Sequence, residues 1–333
     1  YADGFLAASG ESTLSLKPIS VVLGQGGVGK TTFCLGLVNL INAVNSYPKR
    51  VLLISKSDVV KGIGNDTVCS ISDLYNVYVR GLSGQSQVIT QQGFKLALSS
   101  GSLVVIIDGI DESESALADK CDLAAFAESI SELNSSLHSC RVLVTSRDVN
   151  VGRLKALGNA EIVYLRGFRE TDIDTFLRKD EQTLKDNLRN LFQRIKNDAG
   201  FVNPYLLHVA RQFLVSGAAE TPVPIDTKKL KLTEPFDYIL ARCIQRELEK
   251  QSLSISIDEY YDLLNEVVVE YHNRIDEASF ENYIAICLDD SFAGRTDARR
   301  EPYLKFFLLK QEGDTIGVCH QEYVAQILLN RAE

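Results

Sequence analysis

The chain has 333 residues, 45% of them hydrophobic and 24% charged, with a formal net charge of -9 at pH 7; this is too long for one ordinary core and predicts two or three domains of about 100 to 200 residues. No apolar run approaches the ~18 residues of a membrane-spanning helix, no basic-then-apolar leader opens the chain, and the seven scattered cysteines form no C-x-x-C pair, so no membrane, disulfide or zinc framework is expected and a reduced, cytoplasmic setting is. From Asp226 to Glu333 there are 13 Lys plus Arg against 21 Asp plus Glu, nearly the whole acid excess, and a nucleic-acid backbone is not an expected partner of this segment.

The first regular run, Ile19 to Leu23, reads as a buried strand and leads directly into Gly24-Gln25-Gly26-Gly27-Val28-Gly29-Lys30-Thr31-Thr32. This fits G-x-x-x-x-G-K-[ST] in the context it requires, a strand, a loop and then the helix-prone stretch Thr31 to Asn45. The pattern makes Gly24, Gly26, Gly27, Val28, Gly29, Lys30, Thr31 and Thr32 the candidate binding set for nucleotide phosphates, with backbone amides turned inward at the positive end of a helix. Lys30 supplies a point charge for the terminal phosphates, and the Thr31 hydroxyl a ligand for Mg²⁺.

Strands follow at Arg50 to Ser55, Ser102 to Ile107, Arg141 to Thr145 and Glu161 to Leu165, with helices at Ser72 to Arg80, Thr90 to Ser99 and Asp122 to His138. The stretch Lys56 to Asp66 carries no clear period. Alternation of this kind predicts an α/β domain over 1–167, a parallel sheet covered by helices on both faces. The run Leu103 to Ile107 ends in Asp108-Gly109-Ile110-Asp111-Glu112. An acid at the carboxyl end of a strand beside the phosphate loop completes a magnesium shell, the role expected of Asp108. Asp111 or Glu112 is then placed to orient or deprotonate the attacking water. The run ending in Thr145-Ser146-Arg147 puts Arg147 where it can sense the γ-phosphate or pair with an acid.

Beyond Gly167 the strands stop. Helices are expected at Thr171 to Leu177, Glu181 to Asn197 and Pro204 to Val215, a helical domain over 168–220, and a break with two prolines follows. Over 221–333 come helices at Pro235 to Glu249, Asp258 to Asn273 and Glu277 to Cys287, a hairpin turning at Glu312-Gly313-Asp314, and a last helix from Gln321 to Asn330. This order predicts a winged-helix-like domain. His138, His208 and His272 have no recognisable partners and are read as structural.

Together the three runs resemble the NACHT family of STAND P-loop NTPases. The glycine loop alone is also similar to NB-ARC and ParA/MinD proteins, but the ParA/MinD group has a second lysine where this chain has Gln25, and Asp108-Gly109-Ile110-Asp111-Glu112 resembles the NACHT form. Tyr164-Leu165-Arg166-Gly167-Phe168 is similar to the family's entry into its helical domain. Asn203-Pro204-Tyr205 resembles its proline motif, which implies that Pro204 packs on the adenine. Val318-Cys319-His320-Gln321-Glu322-Tyr323 looks like the segment whose histidine touches the β-phosphate of ADP, which implies a latch at His320; Ala325 and Gln326 stand where the family has a Glu-aromatic pair.

The resemblance implies an ATP/ADP-dependent switch with slow, Mg²⁺-dependent ATP hydrolysis, self-association into an oligomer on activation, and a place in immune or antiviral defence. It also implies an effector domain before this module and a sensor domain after it; a start at Tyr1 and the absence of Met fit a segment of a longer protein. The competing reading is an AAA+-like ATPase that remodels protein or nucleic acid.

Overall fold

The computed structural model describes residues 17–43, 49–64, 66–82, 89–110, 122–147, 157–158, 160–177, 182–196, 200–216, 224–251, 253, 255–288, 303, 309–318 and 321–332. It divides into two compact units.

The first unit runs to Leu165 apart from Gly26–Val28 and is built on five parallel strands, β1 (Ile19–Leu23), β2 (Arg50–Ser55), β3 (Leu103–Asp108), β4 (Arg141–Ser146) and β5 (Glu161–Tyr164), in the order β2-β3-β4-β1-β5. Period-two alternation sends successive side chains to opposite faces. On one face Val22, Val104, Ile106 and Leu143 meet Cys34, Leu37 and Ile41 of α1 (Lys30–Ala43). On the other, Val21, Leu23, Val105, Ile107, Val142 and Val144 are covered by α3 (Ile71–Gly81), α4 (Gln91–Ser99) and α5 (Leu123–Asn134) through Leu74, Phe94, Phe126 and Ile130. The central strands β1, β3 and β4 are therefore buried on both faces, which is why they read as unbroken apolar runs rather than alternating ones.

The α/β class and the five strands agree with expectation; the strand order, on which the sequence made no prediction, comes from the structure. β3 does not lie beside the phosphate-loop strand: β4 pairs with both β1 and β3 and separates them. Thr90 and Asp122, expected as first helical residues, are N-caps instead; Thr90 accepts the Gly93 N–H at 3.1 Å and Asp122 the amides of Ala124 and Ala125 at 3.0 Å. The unpatterned stretch after β2 contains a helix, α2 (Lys56–Gly62). It crosses α3 at backbone contact: a Cβ at Gly62 would lie 1.8 Å from the Val77 carbonyl oxygen and one at Gly81 2.2 Å from that of Asp58. Glycine is required at both positions by proximity alone.

The second unit comprises Gly26–Val28 and Arg166–Glu333. Its helices are α6 (Glu170–Phe176), α7 (Gln182–Ile195), α8 (Pro204–Ser216), α9 (Pro235–Gln251), α10 (Ile257–Asn265), α11 (Glu277–Tyr283) and α12 (Gln321–Ala332). A three-stranded antiparallel sheet of β6 (Ile275–Asp276), β7 (Leu309–Glu312) and β8 (Thr315–Val318) has the order β6-β8-β7. The hairpin and last helix were expected; the two-residue β6 was not. The helix expected to reach Asn273 ends as α10 at Asn265, continues as a π-helical turn over Glu266–Glu270, and gives way to left-handed residues at His272 and Asn273, φ 49° and 61°. Asn273 then clasps β8, its Oδ1 accepting from the Val318 N–H at 2.7 Å and its Nδ2 donating to the Val318 carbonyl at 2.9 Å. His272, like His138 at φ 52°, thus serves a backbone conformation.

One continuous apolar core joins α6 to α12, from Ile173 through Leu206, Ile239 and Leu263 to Ile316 and Ile327. Within it Asp237, 0% exposed, accepts hydrogen bonds from the Lys231 amide at 2.8 Å, Gln326 Nε2 at 3.1 Å and Asn330 Nδ2 at 2.9 Å. A buried carboxylate is tolerated only with such donors, and here they fasten α12 to α9.

Candidate nucleotide site

The phosphate loop begins where β1 ends. The Gly24 N–H donates to the Ser146 carbonyl at 3.2 Å, continuing the β1–β4 ladder by one residue. Gly27 and Gly29 adopt φ of +81° and +100°, a region L side chains avoid. Gly29 O accepts from the Phe33 N–H at 2.8 Å and so opens α1. The amides of the first turn have no partner within their own helix and carry its positive dipole, which makes this end of α1 an anion cradle. Lys30 lies folded along the loop, its ammonium donating to the carbonyls of Gly24 at 2.7 Å and Gln25 at 3.1 Å. Thr31 and Thr32 follow, exposed on the first turn of α1.

The acidic end of β3 is held from the intervening strand. Thr145 on β4, 0% exposed, donates its hydroxyl to Asp108 Oδ1 at 2.8 Å and accepts the Gly109 N–H at 2.8 Å. The Cys34 thiol of α1 donates to the same Oδ1 at 3.8 Å. Burial, reinforced by the neighbouring Asp108 charge, raises the Cys34 pKa far above the ordinary thiol range, so it acts as a neutral donor and not as a nucleophile. Arg147, one residue beyond β4, is buried at 3% exposure; since Ser146 pairs with Leu23, its place is next to the start of the phosphate loop. Three sequence-marked groups, the loop, Asp108 and Arg147, therefore share the carboxyl edge of one parallel sheet, where α/β proteins bind ligands.

Thr145 was named in the sequence only as part of a motif. Its function becomes visible through the strand order, which puts its hydroxyl level with Asp108. Pro204 occupies the first position of α8, where its missing N–H is no loss. Asn203, quoted in the sequence only as the first residue of the proline motif, and Arg246, which no motif marked, lie in the second unit with Gly26 and Gly27. Asp111, Glu112 and His320 lie outside the described residues.

Magnesium is tested by donor chemistry. A hydroxyl at Thr31 and a carboxylate at Asp108 are hard oxygen donors, the kind that ion takes while keeping waters and phosphate oxygens for the rest of its shell. The residues fit it, and a site with so few protein ligands is compatible with finding no cluster of three or more His, Cys, Asp or Glu among the described residues.

Residues 18–182 match the NACHT domain family. The chain carries a NACHT domain. It is a P-loop ATPase domain, and nucleotide binding follows from that fold. The whole chain is also similar to a Walker-type ATPase of Pyrococcus abyssi, with a TM-score of 0.54 at 16% identity over 98% of this chain and 94% of that one, a likeness of fold. Two further similar structures are the ORC2 protein of Aeropyrum pernix, TM-score 0.46, 15% identity, covering 99% and 93%, and a Signal Transduction ATPase with Numerous Domains carrying a tetratricopeptide repeat sensor from Pyrococcus horikoshii, TM-score 0.30, 14% identity, covering 94% and 40%. Comparison with curated proteins yields no significant match. Among the described residues no helix is long and apolar enough to cross a membrane.

Proposed function

We propose that this chain is the switch module of a cytoplasmic STAND protein in immune or antiviral defence, resting with ADP, activated by exchange for ATP, and reset by slow hydrolysis. The NACHT domain over residues 18–182 supports the ATPase part of this reading. The switch part rests on one observation within the first unit: Asp108 is held by the Thr145 hydroxyl at 2.8 Å on the same sheet edge from which the phosphate loop departs, an arrangement suited to sensing the γ-phosphate. A nucleotide that binds two states unequally shifts the population between them.

In this scheme the amides of Gly24 to Thr32 and the Lys30 ammonium bind the phosphates, and Thr31 and Asp108 would hold magnesium, whose contribution is charge neutralisation of the phosphates. Thr145 keeps Asp108 oriented. Arg147 reads the γ-phosphate, Asp111 or Glu112 positions the attacking water, Pro204 contacts the base, and His320 contacts the β-phosphate of ADP as a resting latch. The helical part is 168–220 and the winged-helix-like part 221–333, whose helices, small antiparallel sheet and final helix support that assignment. Activation exposes surfaces for self-association, with an effector domain before the module and a sensor domain after it.

The deciding experiment is sedimentation of the protein with its flanks, with ADP or with ATP and its trigger, beside a His320→Ala variant. The switch predicts a monomer with ADP, a larger assembly with ATP, and a variant that loses more affinity for ADP than for ATP. A monomer in every state, with equal losses for both nucleotides, would contradict it.

A further inference from the structure

The tip of the phosphate loop is held by a side chain outside the glycine-lysine motif. Asn203 immediately precedes α8, and its Oδ1 accepts the Tyr205 N–H at 3.0 Å, the geometry of a helix N-cap. Its Nδ2 donates to the Gly26 carbonyl at 2.6 Å. One amide thus caps a helix with its acceptor and clasps the loop with its donor.

The surroundings leave the tip little freedom. A Cβ at Gly27 would lie 2.9 Å from Asn203 Oδ1, 2.9 Å from Tyr205 Cβ and 3.0 Å from Arg246 Nη1. The Arg246 guanidinium sits over the Tyr205 ring at 4.1 Å, backing the same contact. A phosphate loop binds through N–H groups held in set directions. The Gly26 carbonyl and the Gly27 N–H belong to one rigid peptide plane, so fixing the oxygen fixes the direction of the neighbouring donor.

We propose that Asn203 is a positioning residue for nucleotide binding: by tying the Gly26 carbonyl to the N-terminus of α8 it sets the orientation of the loop-tip amides and hence the affinity for the phosphates. This rests on the reading that nucleotide phosphates bind in the Gly24–Thr31 loop. Among cap residues only an amide meets both demands. Aspartate caps as well but has no hydrogen to give Gly26, and serine caps without the reach.

The test is calorimetric titration of Mg-ATP and Mg-ADP into wild type, Asn203→Asp, Asn203→Ser and Lys30→Ala, with nucleotide-free thermal unfolding and steady-state hydrolysis on each. Both Asn203 variants should unfold close to wild type, because the cap survives, yet bind either nucleotide at least about tenfold more weakly, with KM rising more than kcat falls. If Asn203→Asp proves unstable through charge beside the carbonyl, Asn203→Ser alone decides. Wild-type affinity in a folded Asn203 variant, while Lys30→Ala loses binding, overturns this assignment and leaves the loop reading intact. Binding retained by Lys30→Ala overturns the loop reading, and this one with it.

Discussion

Replacing Thr145 by valine removes one hydroxyl at nearly constant volume from the centre of the carboxyl edge of the sheet. Thr145 is 0% exposed and its Oγ1 serves two partners, Asp108 Oδ1 and the Gly109 N–H, both at 2.8 Å. The variant strands the Gly109 donor, which costs about 1–3 kcal/mol if buried, and deletes a bond to a charged acceptor that contributes about 1.5–3 kcal/mol. The added methyl offsets about 0.8 kcal/mol of this. The net loss is about 2–5 kcal/mol, and at about 2–4 °C per kcal/mol for a domain of this size the melting temperature should fall by roughly 4–20 °C. With its orienting donor gone, Asp108 should support hydrolysis at least about tenfold less well, the equivalent of about 1.4 kcal/mol in the barrier, while Thr145→Ser retains both bonds and behaves near wild type. Thermal unfolding and single-turnover hydrolysis measure the two effects. A Thr145→Val protein with unchanged melting temperature and rate would refute the assignment of Thr145 as the holder of Asp108.

Gly27→Ala meets both a φ of +81° and contacts at 2.9 Å, so it should destabilise by about 1–3 kcal/mol and weaken nucleotide binding, as read by chemical denaturation and calorimetry. Native protein treated with iodoacetamide at pH 8 should be alkylated at exposed Cys69 well before Cys34 or Cys140: all are free thiols, but burial raises Cys34 and pushes Cys140 up to about 12, leaving almost no thiolate on either; mass-spectrometric mapping with the reverse order would contradict the geometry. Asp237→Ala removes the acceptor shared by Lys231, Gln326 and Asn330 and should loosen α12, seen as faster amide exchange there with α1 unaffected. Filter binding at low salt should detect no tight, salt-sensitive DNA complex, and finding one would favour the remodelling ATPase.

The strands were legible because a parallel sheet covered on both faces demands unbroken apolar runs, and Ile19–Leu23 and Arg50–Ser55 begin and end where the residues change character. Strand adjacency was not legible, since nothing in Leu103–Asp108 or Arg141–Ser146 states which lies beside β1; the functional pairing of Thr145 with Asp108 was hidden for the same reason. The helix α2 escaped because Lys56 to Asp66 carries no clear period, and Gly62 is there for the crossing with α3, a tertiary cause without a local signal. Helix ends slipped by a residue at Thr90 and Asp122 because a capping side chain is chemically close to a first-turn residue. The glycine-lysine loop was readable since its chemistry is local, whereas the clasp by Asn203 spans 177 positions in sequence.

The most direct measurement of the central claim is calorimetry of wild type and Lys30→Ala with ADP and with ATP in the presence of magnesium. Saturable binding of both nucleotides by wild type, abolished in Lys30→Ala, is the predicted result. Equal affinity in the two proteins would place the nucleotide elsewhere and contradict a switch operated through the phosphate loop.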